Sequence, residues 1–446
     1  MKIVYMRMMS TGSRELDDIL GGFPEGAIVL VAGHPGAGKT TLAAQFMYAG
    51  LKAGSPGLYV SLSERRELFY MHMKELGFNF AYYEERGLFK FVWLPLMKNI
   101  VSPLNEVLMN IRETGCDRLV IDPITALIDQ VGREGGREFL HNLINVGLRP
   151  AGVTTLLIAD LPYGREVIGY GFEEFLVDGI LVLRYEEARG LMKRMIEIRK
   201  SRWSDIPRIS YEFVIGKGGL HIYTPYVKGL KGGFDAEKRH STGVEELDEM
   251  LSGGLPRGSA VLIAGPSGTG KTVLALTMSL TEVNGGGSAV YLSFEEPEGQ
   301  LYQVARMIGM RKDSLHITSI SPRQYTPGAI YHYVSNLVEN MKPGILVLDG
   351  LSALERQYGS EYMELIKSIG LLCKAEGVTL IMTSLHDMLK GERAGISTLA
   401  DVVMALTFER RDDTRCRRIS VLKARAVPHD TRVRDMEIVE SRIYIR

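Results

Sequence analysis

Two stretches of this chain have the residue types and spacing to hold a phosphate chain. Residues 33–40 read Gly33-His34-Pro35-Gly36-Ala37-Gly38-Lys39-Thr40, followed by Thr41, and residues 265–272 read Gly265-Pro266-Ser267-Gly268-Thr269-Gly270-Lys271-Thr272. Both fit GxxxxGK[ST]. Glycines let successive backbone N–H groups curl around phosphate oxygens, and a helix N-terminus favours negative charge. The lysine reaches the β and γ phosphates, and the hydroxyl meets Mg²⁺. A lone glycine-rich strand-to-helix turn would look similar, but two matches, each after an apolar run (AIVLVA and AVLIA), favour the phosphate reading. ATP and Mg²⁺ are the expected cofactors.

Other polar residues also stand at the ends of apolar runs. Asp122 and Asp349 each close such a run, where a carboxylate beside the phosphate loop would hold Mg²⁺ with Thr40 and Thr272. Either aspartate alone would read as a turn residue. Glu295 and Glu296 follow the run 290–294, and Glu295 in particular could accept the proton of an attacking water or hydroxyl. Two acidic residues opening a helix would have the same composition. In the first half Ser63 takes the place of Glu295 and only Glu64 remains, so slow turnover is expected there unless Glu64 substitutes. Near the end of each half lie Lys200-Ser201-Arg202 and Lys423-Ala424-Arg425, readable as edge-strand protection or as cations reaching a neighbouring subunit's γ-phosphate. The stretch 410–418 reads as a solvated hairpin with Asp412 and Asp413 at its turn.

The elements that must position these residues are written twice. STGSRELDDILGGFPEGAIVLVAGHPGAGKTTL from Ser10 is answered by STGVEELDEMLSGGLPRGSAVLIAGPSGTGKTVL from Ser241. GLYVSLSE, RLVIDPITAL, GVTTLLIADLP and VDGILVLRYE are likewise answered by AVYLSFEE, ILVLDGLSAL, GVTLIMTSLHD and ADVVMALTFE, in the same order. Two copies of one domain follow, 1–230 and 231–446, with a Gly- and Lys-rich linker at 226–239. Short apolar runs alternate with longer helical stretches, which predicts an α/β fold with a mostly parallel, helix-covered sheet in each copy. In such sheets the ligand lies at the carboxyl ends of the strands.

Composition sets outer limits. The 446 residues are 45% hydrophobic and 24% charged, with 53 basic side chains balancing 53 acidic ones, so no global charge draws the chain to nucleic acid or membrane. Three cysteines, Cys116, Cys373 and Cys416, lack CxxC spacing and argue against a disulfide framework or zinc site. With neither a signal-like run nor a stretch of ~18 apolar residues, a cytoplasmic protein is expected.

The STG...ELD...GG.P.G lead-in, the phosphate loop, YLSFEE, LVLDGLSAL and VLKAR together resemble the KaiC family of RecA-like ATPases, and the duplication resembles its two-lobed members. The resemblance covers about 10–225 and 241–440. It implies tandem RecA-like phosphate-loop domains, ATP bound between subunits, and a two-tiered homohexamer in which Lys200, Arg202, Lys423 and Arg425 act in trans. It also implies autophosphorylation in the second copy on Ser397 and Thr398, with Glu295 as general base; the first copy has Glu173 and Glu174 where hydroxyls would be needed. Ser397 and Thr398 would equally serve as a helix cap. A circadian role does not transfer, because Ser63 departs from the pattern and the chain ends at Arg446 without a long tail. A signalling or regulatory ATPase is the expectation. A RecA-type DNA-dependent ATPase is the alternative, although 162–171 and 386–395 lack basic and aromatic interleaving. A nucleotide-gated assembly scaffold is a third reading.

Overall fold

A computed structural model describes residues 7–94, 101–169, 171–224, 233–310, 315–390, 395–411 and 413–446. The chain divides into two compact units, Met1–Thr224 and Pro225–Arg446. Each contains one nine-stranded sheet. In the first, the strands are β1 (Ile28–Gly33), β2 (Gly57–Ser61), β3 (Phe89–Trp93), β4 (Arg118–Asp122), β5 (Thr154–Asp160), β6 (Gly179–Ala188), β7 (Leu191–Ser201), β8 (Ser210–Gly216) and β9 (Gly219–Ile222). In the second they are β10 (Ala260–Ala264), β11 (Ala289–Ser293), β12 (His316–Ser319), β13 (Ile345–Asp349), β14 (Thr379–Ser384), β15 (Val402–Arg411), β16 (Thr414–Ala424), β17 (Arg434–Val439) and β18 (Arg442–Ile445).

The first sheet runs β3-β2-β4-β5-β1-β6-β7-β8-β9, and the second runs β12-β11-β13-β14-β10-β15-β16-β17-β18. Strand for strand, the order is the same. Pairings from β3 through β6 are parallel and those from β6 through β9 antiparallel, and the second sheet repeats this. Parallel strands buried on both faces read as continuous apolar runs, which is why the alternation predicted this part.

Successive side chains of a central strand enter opposite layers. Val29 and Val31 of β1 pack with Leu42 and Phe46 of α1 (Lys39–Lys52), while Ile28, Leu30 and Ala32 join Leu127, Leu140 and Ile144 on the other face. In the second unit Val261 and Ile263 face Leu274 and Met278 of α2 (Lys271–Asn284), and Leu262 and Ala264 face Leu354 and Ile366. Burial on both faces makes β1 and β10 the rigid stems from which the glycine loops spring.

The lead-in repeat has a structural task. Asp17 accepts from Ser10 Oγ at 2.6 Å and the Thr11 amide at 2.7 Å, and Asp248 accepts from Ser241 Oγ and the Thr242 amide at the same distances. The linker expected at 226–239 is corrected. Asp235–His240 forms a strand paired with Leu255–Arg257 of the second unit, mirroring the pairing of Met8–Met9 with Phe23–Pro24. Residues 225–232 lie outside the described residues.

Candidate functional site

Each glycine loop leaves the C-terminal end of a central strand and enters a helix. Gly38 and Gly270 hold φ of 110° and 104° just before α1 and α2, and a Cβ on either would press on Ile215 of β8 or Ile438 of β17. Only glycine meets both conditions without strain. The late antiparallel strands thus close against the base of the phosphate loops.

In the second copy the expected residues converge. Lys271 Nζ donates to the carbonyls of Gly265 at 2.8 Å and Pro266 at 2.9 Å, and burial lowers its pKa against the opposing pull of Asp349, Glu295 and Glu296. The Thr272 hydroxyl lies 3.3 Å from Asp349 Oδ2 and 3.4 Å from Glu296 Oε1. Thr383 of β14 donates to Asp349 Oδ1 at 2.5 Å and accepts from the Gly350 amide at 2.8 Å, fixing the carboxylate. Burial, then the charge of Asp349, raises the Glu296 pKa. Glu295 sits at the rim, paired with Arg356 at 3.0 Å. All five polar side chains, Lys271, Thr272, Glu295, Glu296 and Asp349, line one cavity of about 330 Å³.

The donor set suits Mg²⁺. No group of three or more His, Cys, Asp or Glu side chains that could hold a metal occurs among the described residues. Mg²⁺ in phosphate sites takes one or two protein oxygens and completes its shell with phosphate and water, so the Thr272 hydroxyl and the Asp349 carboxylate suffice.

The first copy repeats the frame with different chemistry. Lys39 Nζ donates to the carbonyls of Gly33 at 2.9 Å and His34 at 3.1 Å, and Thr40 Oγ1 donates to Asp122 Oδ2 at 2.8 Å. The Tyr59 hydroxyl also donates to Asp122 Oδ2, at 2.7 Å; burial raises the Asp122 pKa while these hydrogen bonds oppose the shift. Glu64 Oε1 lies 2.9 Å from His72 Nδ1, within hydrogen-bond distance. His34 is braced by the Tyr185 amide, which donates to Nδ1 at 3.2 Å, and by the Tyr163 ring 4.3 Å away.

The basic strand residues go elsewhere. Lys423 Nζ donates to the carbonyls of Ser397 at 3.1 Å and Ala400 at 2.6 Å, and Arg425 donates to the Thr398 carbonyl at 3.3 Å. Lys200 Nζ donates to the carbonyls of Glu174 and Val177, and Arg202 pairs with Asp178 at 3.2 Å. β7 and β16 are interior strands of their sheets, but β8 and β17 pair with them only at 194–197 and 417–419, so Lys200 and Lys423 lie past that pairing with a strand partner on one side only, Ile180 and Val403. Ser397 and Thr398 lie in a short 3-10 turn, Gly395–Thr398, where Thr398 Oγ1 donates to the Gly395 carbonyl at 2.9 Å.

Two further residues were missed by the motifs. Arg417, from the stretch read as a solvated hairpin, lines the second cavity and donates from Nε to the Gly268 carbonyl at 3.3 Å; the hairpin itself is present between β15 and β16, and Asp412 lies outside the described residues. At the matching carbonyl of the first copy, Gly36, the donor is the neutral Tyr185 hydroxyl at 2.6 Å. Asp160, at the end of β5, pairs with Lys39 at 3.1 Å. Its signal was the alignment of IADLP with TSLHD, which sets Asp160 opposite Leu385.

A glycine loop at the exit of a doubly buried parallel strand, with its lysine, hydroxyl and a carboxylate on the next strands, defines a phosphate-loop nucleotide-binding domain, here present twice. A family model described as the KaiC ATPase matches residues 9–226 and again 240–446, and the chain belongs to that family. Among curated relatives, the chain is 28% identical over 450 residues to circadian clock protein KaiC3 of Synechocystis sp., covering 95% of this chain and 88% of the relative. It is 29% identical over 464 residues to circadian clock oscillator protein KaiC of Parathermosynechococcus lividus, covering 98% and 85%. With the KaiC of Synechococcus elongatus the identity is 27% over 461 residues, covering 98% and 88%. Both copies are therefore ATP-binding domains of an ATPase family.

Proposed function

We propose that this chain is a regulatory Mg-ATPase whose second copy carries most of the turnover, while the first copy holds nucleotide and turns it over slowly. The carrying observation is the asymmetry at one strand end. Glu295 and Glu296 stand in one cavity with Lys271 and Thr272, whereas the first copy has Ser63 in place of Glu295 and its remaining Glu64 is tied to His72.

The chemistry follows from those positions. Loop amides and Lys271 bind the β and γ phosphates, and Arg417 adds positive charge beside Gly268. Thr272 and Asp349 would hold Mg²⁺, which would supply charge neutralisation to the phosphates. A water oxygen bonds to the γ-phosphorus as the bond to the β-phosphate oxygen breaks, and the water's proton passes to the Glu295 carboxylate.

Phosphoryl transfer to Ser397 or Thr398 is the finer reading. The segment abuts the entry end of β10, where Asp401 accepts from the Ala260 amide at 3.0 Å, while the phosphate loop leaves the other end. Five strand residues span about 16 Å, so the donor ATP must come from another subunit. Lys423 and Arg425 share that distant end, which supports ATP at the interfaces of a homohexamer. The DNA-handling reading gains no support from the loops, in which the Tyr163 ring packs against His34 and Asp387 accepts from Thr407; Tyr170 and residues 391–394 lie outside the described residues. No helix among the described residues is long and apolar enough to cross a membrane.

The test is incubation with Mg-ATP followed by site-resolved mass spectrometry, with Glu295→Gln as control. Phosphate on Ser397 or Thr398 that disappears in the control establishes a self-modifying switch. Free phosphate without a covalent mark leaves the ATPase cycle itself as the signal. Neither product would overturn the proposal.

A further inference from the structure

The two phosphate lysines differ in what they have left to offer. An ammonium has three N–H donors. Lys39 spends all of them inside the chain, on the Gly33 carbonyl at 2.9 Å, the His34 carbonyl at 3.1 Å and Asp160 Oδ1 at 3.1 Å. Lys271 gives two to the carbonyls of Gly265 and Pro266, with Leu385 at the position of Asp160. One donor of Lys271 therefore remains for a phosphate oxygen.

The backbone at this strand end is alike in both copies, so the difference lies in the side chain. The Asp160 amide donates to Thr125 Oγ1 at 3.3 Å, as the Leu385 amide donates to Ser352 Oγ at 3.1 Å. Thr125 Oγ1 also approaches Asp160 Oδ2 at 3.4 Å, bracing the carboxylate toward the loop. Asp160 lies on the strand residue directly opposite Gly33, the first residue of the loop. With its side chain 52% exposed, the carboxylate meets whatever enters from solvent.

We propose that Asp160 is a nucleotide-specificity residue that biases the first site away from ATP and toward ADP. This rests on the reading of 33–40 as a nucleotide loop. ADP lacks the γ-phosphate and leaves the Lys39–Asp160 pair in place. ATP must take that donor from Asp160, bringing a γ-phosphate of like charge against the carboxylate. The second site, with Leu385 there, carries no such penalty.

The experiment measures binding of Mg-ADP and of a non-hydrolysable Mg-ATP analogue to the full chain carrying Lys271→Ala, with and without Asp160→Asn. Asparagine keeps the shape and the contact to Thr125 but removes the charge; Asp160→Leu, the side chain of the second copy, serves as a second variant. The expected result is a shift of the ATP-to-ADP affinity ratio toward ATP by about tenfold in both variants. The reciprocal Leu385→Asp, in a Lys39→Ala chain, should shift the second site toward ADP. An unchanged ratio with both nucleotides still bound overturns the inference and leaves the loop assignment standing. An unchanged ratio with first-site hydrolysis abolished also overturns it, making Asp160 a proton acceptor instead. Binding of neither nucleotide by the Lys271→Ala chain overturns the loop assignment itself.

Discussion

Glu295 and Glu296 are adjacent, yet their surroundings separate their tasks. Glu296 is drawn inward beside Thr272 and Asp349, while Glu295 stays at the rim beside Arg356. In the proposed mechanism the rim carboxylate meets the water, while Glu296 stays with Thr272 and Asp349. Glu295→Gln should therefore lower phosphate release by at least about 100-fold with nucleotide binding retained, as steady-state turnover and equilibrium binding would show. A loss of binding instead would make Glu295 part of the phosphate cradle. A buried pair elsewhere carries a pH signature. The hydrogen bond from His240 Nδ1 to Glu282 Oε2, at 2.6 Å, holds the Glu282 carboxyl below the ordinary glutamate value of 4.5. A lowered acid stabilises the fold above the unfolded pKa, and that contribution is lost as pH falls through the lowered folded value. Urea unfolding should find Glu282→Gln less stable than the parent at pH 7, with the difference closing below about pH 4.5.

At the scale of elements, the late antiparallel strands do what the motifs do not reveal: they close the phosphate loops from below and deliver Arg417. Gly270→Ala places a methyl 2.5 Å from Ile438 Cδ1 at a φ of 104°. It should destabilise the second unit by about 1–3 kcal/mol. Denaturant unfolding should show the second unit shifted and the first unchanged; an unshifted second unit would mean the loop relaxes freely. The parallel part of each sheet was legible because its strands are apolar on both faces; Gly, Lys and Thr gather at one strand end within a few residues, and Asp122 and Asp349, 82 and 77 positions from their threonines, were found because each closes an apolar run. Arg417 was not legible, since its approach to Gly268 depends on a hairpin folding back across 149 positions. Asp235–His240 was misread as linker because its polar composition hides a strand that pairs on one side only. Asp160 was visible in the aligned repeats, but an aspartate after a strand looks like any turn residue until Lys39 is found beside it.

At the scale of the whole molecule, duplication has kept the frame and changed the chemistry. Strand order, the Asp17 and Asp248 lead-in locks, the loop glycines and an arginine set against the aromatic residue of the neighbouring strand (Arg194 by Tyr185, Arg417 by Phe408) are shared, while Ser63 for Glu295 and Asp160 for Leu385 fall in the first site. One change removes the carboxylate proposed as proton acceptor, and the other ties up the phosphate lysine. The differences point one way, toward one working ATPase and one nucleotide-holding domain in a single chain. Phosphate release by Lys39→Ala and Lys271→Ala, measured side by side at saturating Mg-ATP, bears on this directly. Lys39→Ala should keep most of the parent rate and Lys271→Ala should lose at least about nine-tenths of it. Comparable rates from the two variants, or the reverse order, would contradict the assignment of turnover to the second site.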